Sequence, residues 1–383
     1  MPSLLRNLMV LLVRTAQARR ASSYELVNDP ILCRYRGQSI LDLKASLPEA
    51  VLEPYGIALS GIMLMMGIEI LNPVFGQTWS YHLEAARRII EIRGGMSTSF
   101  FGMPWSQNLL INYMWIDIMS CTTCNAPSLN TDTTQAQPDY IPLLVLRQQE
   151  VLENGHACPL PILEAIVRIT ILRLLCRTSK KPLRKSLLLE QSSPARPFNS
   201  IMRDLEIFEP ATWAVKVCGY GRIHPVKADE CPSTAAKEAW THLAYCHKYA
   251  ALLYLLLSVR DPYMVEDQDR VRSIQQLLSV HVTQIMTVAN SDPDGPIETQ
   301  CWKFSLWPVF VSTYAHICWC SSSSDEVETE VAQFERTVAQ VGVKSLNGMA
   351  RSLHTIAASR ISKMPDRWQW DDGFEGRSVF GPH

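Results

Sequence analysis

The stretch TWSYHLEAARRIIEIRGG (Thr78–Gly95) reads as one amphipathic helix with an abrupt stop. Trp79, Leu83, Ala86 and Ile90 recur at spacings of four, three and four, which lines them along one apolar stripe. Glu84, Arg87, Arg88 and Glu91 are assigned to the other face, with Glu84–Arg88 and Arg87–Glu91 paired at i,i+4. Thr78 is placed to cap the start, and Gly94 suits the left-handed conformation that often follows a helix end. Such a helix buries its stripe against something large.

The remaining chain supplies that partner as more helices. The helical period recurs over residues 3–20, 36–48, 52–71, 79–93, 105–120, 160–177, 199–217, 234–259, 267–289, 302–319, 325–340 and 343–360. No stretch alternates apolar and polar residues as a strand does, and no fixed-period repeat is visible. Loops are expected over 125–143, 178–198 and 218–234, and at SSSSDE (Ser321–Glu326), where Ser324 is placed as an N-cap. No break separates blocks of different composition. The expected architecture is all-α, a single irregular multi-helix domain over 35–383, preceded by a helix and linker over 1–34. The first helix carries Leu5, Leu8, Leu11 and Leu12 on one face. Its arginines and lack of acids also match a transit peptide, but an ordinary helix is the better reading.

Composition narrows the function classes. Apolar residues make up 47% of the 383 positions and charged residues 19%, which suits a large buried core and excludes global disorder. The net charge is −1, without the basic excess that supplies most of a DNA-binding domain's affinity. Eleven cysteines, an odd number without a dense framework, fit reduced thiols better than a disulfide scaffold. Apolar runs such as AALLYLLL (Ala250–Leu257) fall short of the roughly 18 residues of a membrane span, so no membrane association is expected.

Motifs with chemical meaning are weak. DDGFE (Asp371–Glu375) matches a DDxxE box of the kind that binds magnesium in helical terpene cyclases, but it follows the last helix and has no second box. A solvated acidic tail is the simpler reading. CTTC (Cys121, Cys124) is a lone CxxC. HLAYCH (His242, Cys246, His247) and HICWC (His316, Cys318, Cys320) do not complete a zinc knuckle with it. GYG (Gly219–Gly221) lacks the strand and helix of a dinucleotide loop. Isolated His82, His156 and His354 read as structural or surface histidines. No catalytic residue, metal or cofactor is therefore expected. Lys180, Lys181, Arg184 and Lys185 in KKPLRK form a candidate nuclear-import cluster.

Several segments together resemble the fungal-specific transcription factor domain, the helical regulatory region that accompanies fungal binuclear zinc clusters. The clearest runs from Trp79 through His82 and Leu83 to Arg93, Gly94 and Gly95. YGIALSGIMLMMGIEI, ending near Glu69, is similar to the family's preceding apolar helix, and INYMWIDIMSCTTC to its helix with a central aspartate, here Asp117. ENGHACPLPILEAIVRITILR, AYCHKYAALLYLLL, LWPVFVSTYAH (with Trp307 and Pro308) and the tail RWQWDD continue the likeness over roughly residues 35 to 380.

The resemblance implies an all-helical regulator of transcription, acting in the nucleus (with the cytoplasm as the alternative), on a metabolic or secondary-metabolite pathway. Its implied partners are other regulators or a DNA-binding relative, with a small-molecule effector in addition. The family's zinc cluster needs six cysteines in two short knuckles, and no such run occurs in these residues. Direct DNA binding by this chain is thus not expected. Either the gene has been truncated in prediction or the protein works through others. A helical enzyme using the DDxxE carboxylates is the alternative function.

Overall fold

Leucine, isoleucine and methionine at helical spacing form helices throughout a computed structural model of the chain, which describes residues 3–20, 29–47, 56–71, 79–103, 107–124, 131–153, 156–178, 195–219, 234–259, 266–291, 304–320, 323–341, 353–354, 356–358 and 370–371. Among the described residues there is no strand, and none of the helices is long and apolar enough to cross a membrane. The chain divides into two compact units at Ser120/Cys121.

The first unit contains α1 (Ser3–Arg20), α2 (Pro30–Ser46), α3 (Ile57–Leu71), α4 (Trp79–Ile92), α5 (Met96–Gly102) and α6 (Gln107–Thr122), whose last two residues belong to the second. Helix α1 packs on α2 and α3, and α3 on α4. The buried face of α1 is Leu4, Leu8, Leu11 and Thr15, so Leu4 replaces the expected Leu5 in the core. Asp29 caps α2 by accepting from the Ile31 N–H at 2.8 Å, with Pro30 at the position where a missing N–H costs nothing. That early start moves α2 six residues ahead of its expected beginning.

Gly94 and Gly95 account for the stop seen in the sequence. The Gly95 N–H donates to the Ile90 carbonyl at 2.9 Å and the Gly94 N–H to the Glu91 carbonyl at 3.0 Å. That pair of bonds is a Schellman closure of α4. Gly94 has φ +92 and Gly95 φ +93. Gly95 also has ψ 179 while serving as the residue before α5, a combination essentially confined to glycine. A β-carbon on Gly95 meets nothing within 4 Å, so its substitution is opposed by backbone strain alone. Gly95→Ala is expected to cost about 1–3 kcal/mol in thermal unfolding, without change in the helical circular dichroism of the folded state.

The second unit holds α7 (Thr131–Ala136), a 3₁₀ turn (Gln137–Asp139), α8 (Tyr140–Leu146), α9 (Gln148–Glu153), α10 (Leu160–Thr178), α11 (Ala195–Ile207), α12 (Pro210–Gly219), α13 (Thr234–Ser258), α14 (Glu266–Ser291), α15 (Leu306–Ala315), a π turn (His316–Cys320) and α16 (Ser324–Val341). Helix α13, with sixteen buried residues, is its axis and packs on α10, α12, α14 and α15.

Four expectations need correction here. The loop over 125–143 is helical from Thr131, because Pro138 and Pro142 fall in first turns and Tyr140, Ile141, Leu143 and Leu144 are buried. The single helix over 199–217 is two, broken at Phe208–Glu209 by Pro210, which cannot continue a helix from its interior. The cap before α16 is Ser323, whose Oγ accepts from the Glu326 N–H at 3.2 Å; Ser324 is already helical. Residues 195–198, read as loop, begin α11. Most of 218–234 and 343–360 lies outside the described residues.

Candidate functional site

The motif residues do structural work at several buried charges. In α4, Leu83, Ala86, Ile89 and Ile90 are buried as the stripe predicts. Trp79 opens the helix, but its side chain and Thr78 lie outside the described set. Arg93 ends the helix, its N–H on the Ile89 carbonyl at 3.0 Å.

Arg87 corrects the expected face. It stands four residues after Leu83 and so at the edge of the apolar stripe, with its side chain only 13% exposed. It reaches the fully buried carboxylate of Asp117 on α6 at 2.6 Å and also binds Glu84, rather than Glu91. Arg88 takes Glu84 at 3.1 Å and Glu91 at 3.7 Å. Burial works against the Arg87 charge, but Asp117, Tyr113 and Glu84 together outweigh it and hold the guanidinium pKa above its usual value. Asp117 of the motif is thus an ion-pair partner inside the first unit.

The same unit holds a second buried carboxylate. Glu69 on α3 is paired with Arg36 of α2 at 3.2 Å and with His82 of α4 at 3.2 Å. His82 therefore serves a structural role, tying α4 to α3 beside the apolar contact. Removing Arg87 leaves Asp117 buried without its principal countercharge. Arg87→Met is expected to destabilise the first unit by about 2–3 kcal/mol in urea unfolding. Pairing Arg87→Met with Asp117→Asn should cost less than the sum of the single changes.

In the second unit the end of α6 is capped from a distance. The last carbonyls of a helix lack partners inside it. Arg173 of α10, fully buried, donates to the Cys121 carbonyl at 3.1 Å and the Cys124 carbonyl at 2.7 Å. The Trp370 indole N–H donates to the Thr122 carbonyl at 2.7 Å, and the Trp307 indole N–H to the Thr122 hydroxyl at 3.0 Å. Arg173 also donates to the Tyr254 hydroxyl at 2.8 Å and pairs with Asp371 at 3.5 Å. The Thr170 hydroxyl donates to the Ile166 carbonyl, so Tyr254 donates its own proton to Thr170 at 3.0 Å. Burial pushes the Tyr254 phenol up to about 12, although the Arg173 charge opposes it.

This arrangement settles two sequence motifs. CTTC is a helix terminus clamped through its carbonyls, and burial pushes the Cys124 thiol up to about 11 despite Arg173 nearby. Asp371 is buried against Arg173 rather than solvated in an acidic tail, because the guanidinium needs a countercharge. Asp372 and Glu375 of the DDxxE match lie outside the described residues. Sequence reasoning missed Arg173: it is the one charge in the stretch ITILRLLC (Ile169–Cys176), and that isolation was the available signal.

Trp307 and Pro308 are buried in the first turn of α15, with Trp307 parallel to His247 at a centroid separation of 6.3 Å. His247 is buried and its pKa pushed down to about 3 by that burial, so it is neutral at physiological pH. His242 instead faces His281, with 2.8 Å between their Nδ1 atoms, and Cys246 is buried in the core. The members of HLAYCH do not converge. Among the described residues no group of three or more His, Cys, Asp and Glu is arranged to hold a metal ion. His354 pairs with Glu335 at the surface.

One cleft of about 600 Å³ opens in the second unit between α8, α10 and α12. Ile141, Leu160, Phe208 and Trp213 form apolar walls, and Glu164, Glu209 and Lys216 bring charge. Its size is that of a small-molecule or peptide site. The basic cluster Lys180, Lys181, Arg184 and Lys185 falls outside the described residues.

A model of the fungal specific transcription factor domain family matches residues 14–372, across both units. A curated relative, the phomenoic acid biosynthesis cluster-specific transcriptional regulator of Leptosphaeria maculans (strain JN3), is 23% identical over 260 residues, 66% of this chain and 42% of that protein. The aligned part therefore spans less than half of that relative. No solved structure matches the chain. These findings support a role in transcription regulation and weigh against the enzyme reading.

Proposed function

We propose that this chain, which belongs to the fungal-specific transcription factor domain family, regulates genes of a metabolic or secondary-metabolite pathway through protein or ligand contacts made by its helices. The family match over 14–372 carries this reading, and the name of the relative, a regulator of one biosynthetic cluster, supplies the pathway class. The two units described here turn Glu69, Asp117 and Asp371 into internal ion pairs. Their contribution to regulation is then as a scaffold presenting surfaces and the cleft beside Trp213. Ligand binding there would favour one conformer over another by its differential affinity. DNA contact is assigned to other regulators or a DNA-binding relative, because these residues carry neither a basic excess nor six clustered cysteines. The nucleus is the assigned compartment, with KKPLRK as its import signal.

Deleting the gene and measuring transcripts tests the reading. Coordinated loss or gain of expression in one biosynthetic gene cluster is expected. Unchanged transcripts under all conditions that induce secondary metabolism would sink it. In parallel, the purified chain is expected to show only weak, salt-sensitive, sequence-independent DNA binding. A specific complex surviving physiological salt would overturn the assignment of DNA contact to a partner.

A further inference from the structure

We infer that the cleft between α8, α10 and α12 takes a drug-sized apolar amine, its ammonium met by Glu164 and Glu209 and its body laid against Phe208 and Trp213. This gives the ligand of that cleft a chemical class, and it rests on the regulatory reading for its effect in the cell. The volume of about 600 Å³ lies within the range of small-molecule sites, and the cleft belongs wholly to the second unit. Its aromatic wall is held from behind. Trp213 is buried, and the Trp240 ring meets it edge to face at 5.9 Å and 63°. Trp240 is in turn stacked on Phe304 at 6.2 Å and 21°. An indole backed in this way keeps its place in the empty cleft, which lowers the ordering cost of binding.

Charge at the mouth selects the sign of the ligand. The charged lining consists of Glu164, Glu209 and Lys216, all exposed. Cations close to the two carboxylates are engaged elsewhere. Arg168, one turn beyond Glu164, donates to Asp204 at 2.7 Å and to Ser200 at 3.0 Å. Lys248, within the field of Glu209, donates instead to the Glu206 and Phe208 carbonyls at 2.8 and 2.9 Å. Arg270 takes the Glu206 carboxylate at 2.7 Å. Lys216 stands two turns after Glu209, about 10 Å along the helix axis. The lining is thus net negative beside two aromatic rings, a setting that attracts an ammonium and repels a carboxylate. Lys216, at the far end, suits a neutral oxygen acceptor on the same ligand.

The test titrates the untagged chain in a calorimeter at pH 7 with three probes that share one apolar body: phenylbutylamine, phenylbutanol and phenylbutyrate. One amine per chain is expected, bound about fivefold or more tighter than the alcohol, with the carboxylate weakest. Combining Glu164→Gln with Glu209→Gln should bring the amine level with the alcohol and leave alcohol binding unchanged. Thr212→Trp places a large side chain at an exposed lining position and should block all three probes. The three substituted positions are exposed, and circular dichroism checks that the variants fold. Absence of amine binding, equal binding of the three probes, an amine preference that survives the double glutamine variant, or binding indifferent to Thr212→Trp would each overturn the proposal. The regulatory reading fails separately. Amine binding with transcripts unchanged by gene deletion would support the site and sink the regulatory role. Altered transcripts without amine binding would support the role and overturn the site.

Discussion

Arg173→Met should lower the stability of the second unit by about 3–5 kcal/mol, the range for removing one partner from a buried ion pair. The side chain is fully enclosed and serves Asp371, the Tyr254 hydroxyl and the carbonyls of Cys121 and Cys124 at once. Methionine fills much of the volume but offers no N–H, so a carboxylate and two helix-end carbonyls lose their donor. Asp371→Asn should cost less, since the guanidinium keeps three oxygen partners. The double variant should recover part of the summed loss, because each single change strands the other group. Urea unfolding followed by tryptophan fluorescence measures this. The transition belonging to the second unit is the one to read, as two compact units need not unfold together.

Trp370→Ala is the other large change, with an expected cost of about 3–5 kcal/mol. Trp370 is fully buried, 4.5 Å from the ring of Tyr314 and 5.0 Å from that of Tyr254. Its indole N–H serves the Thr122 carbonyl, and its own carbonyl accepts from the Tyr314 hydroxyl at 3.1 Å. Alanine leaves a cavity and also deprives the Thr122 carbonyl of its donor. Trp370→Phe separates the two terms. It restores most of the packing and loses only the hydrogen bond, so it should cost about 1–2 kcal/mol. Equal losses for both variants would show that the aromatic volume contributes nothing.

Helices were readable wherever an apolar stripe ran long. The bounds expected for the first helix and for 234–259 agree with α1 and α13 to within a residue. Helices of six or seven residues in a polar, proline-bearing stretch, such as α7 and α8, were not, because periodicity needs more turns to register. The glycine stop was legible, since two adjacent glycines ending a helix pattern have few other uses. The second glycine's role became visible only with its ψ. Buried charges were the least legible feature. Arg87 looked like a surface residue because its partner, Asp117, stands thirty positions away on another helix. Arg173 and Asp371 are further apart still, and nothing local to either announces the other. The cleft beside Trp213 is likewise a product of how three helices meet, which no single stretch encodes.

The bond from Trp370 to Thr122 spans 248 positions of the chain. That distance sets a timetable for synthesis. Translation at roughly 5–20 residues per second leaves the end of α6 waiting tens of seconds before its final cap has been made. Once Tyr254 and Tyr314 have followed, the pocket for Trp370 is an open apolar notch beside them until the last part of the chain arrives, available to chaperones and to unwanted association. A message cut short before this codon would yield a protein whose helices are nearly all present but whose core never closes. Such a product should be cleared by proteolysis rather than persist as a shorter competitor.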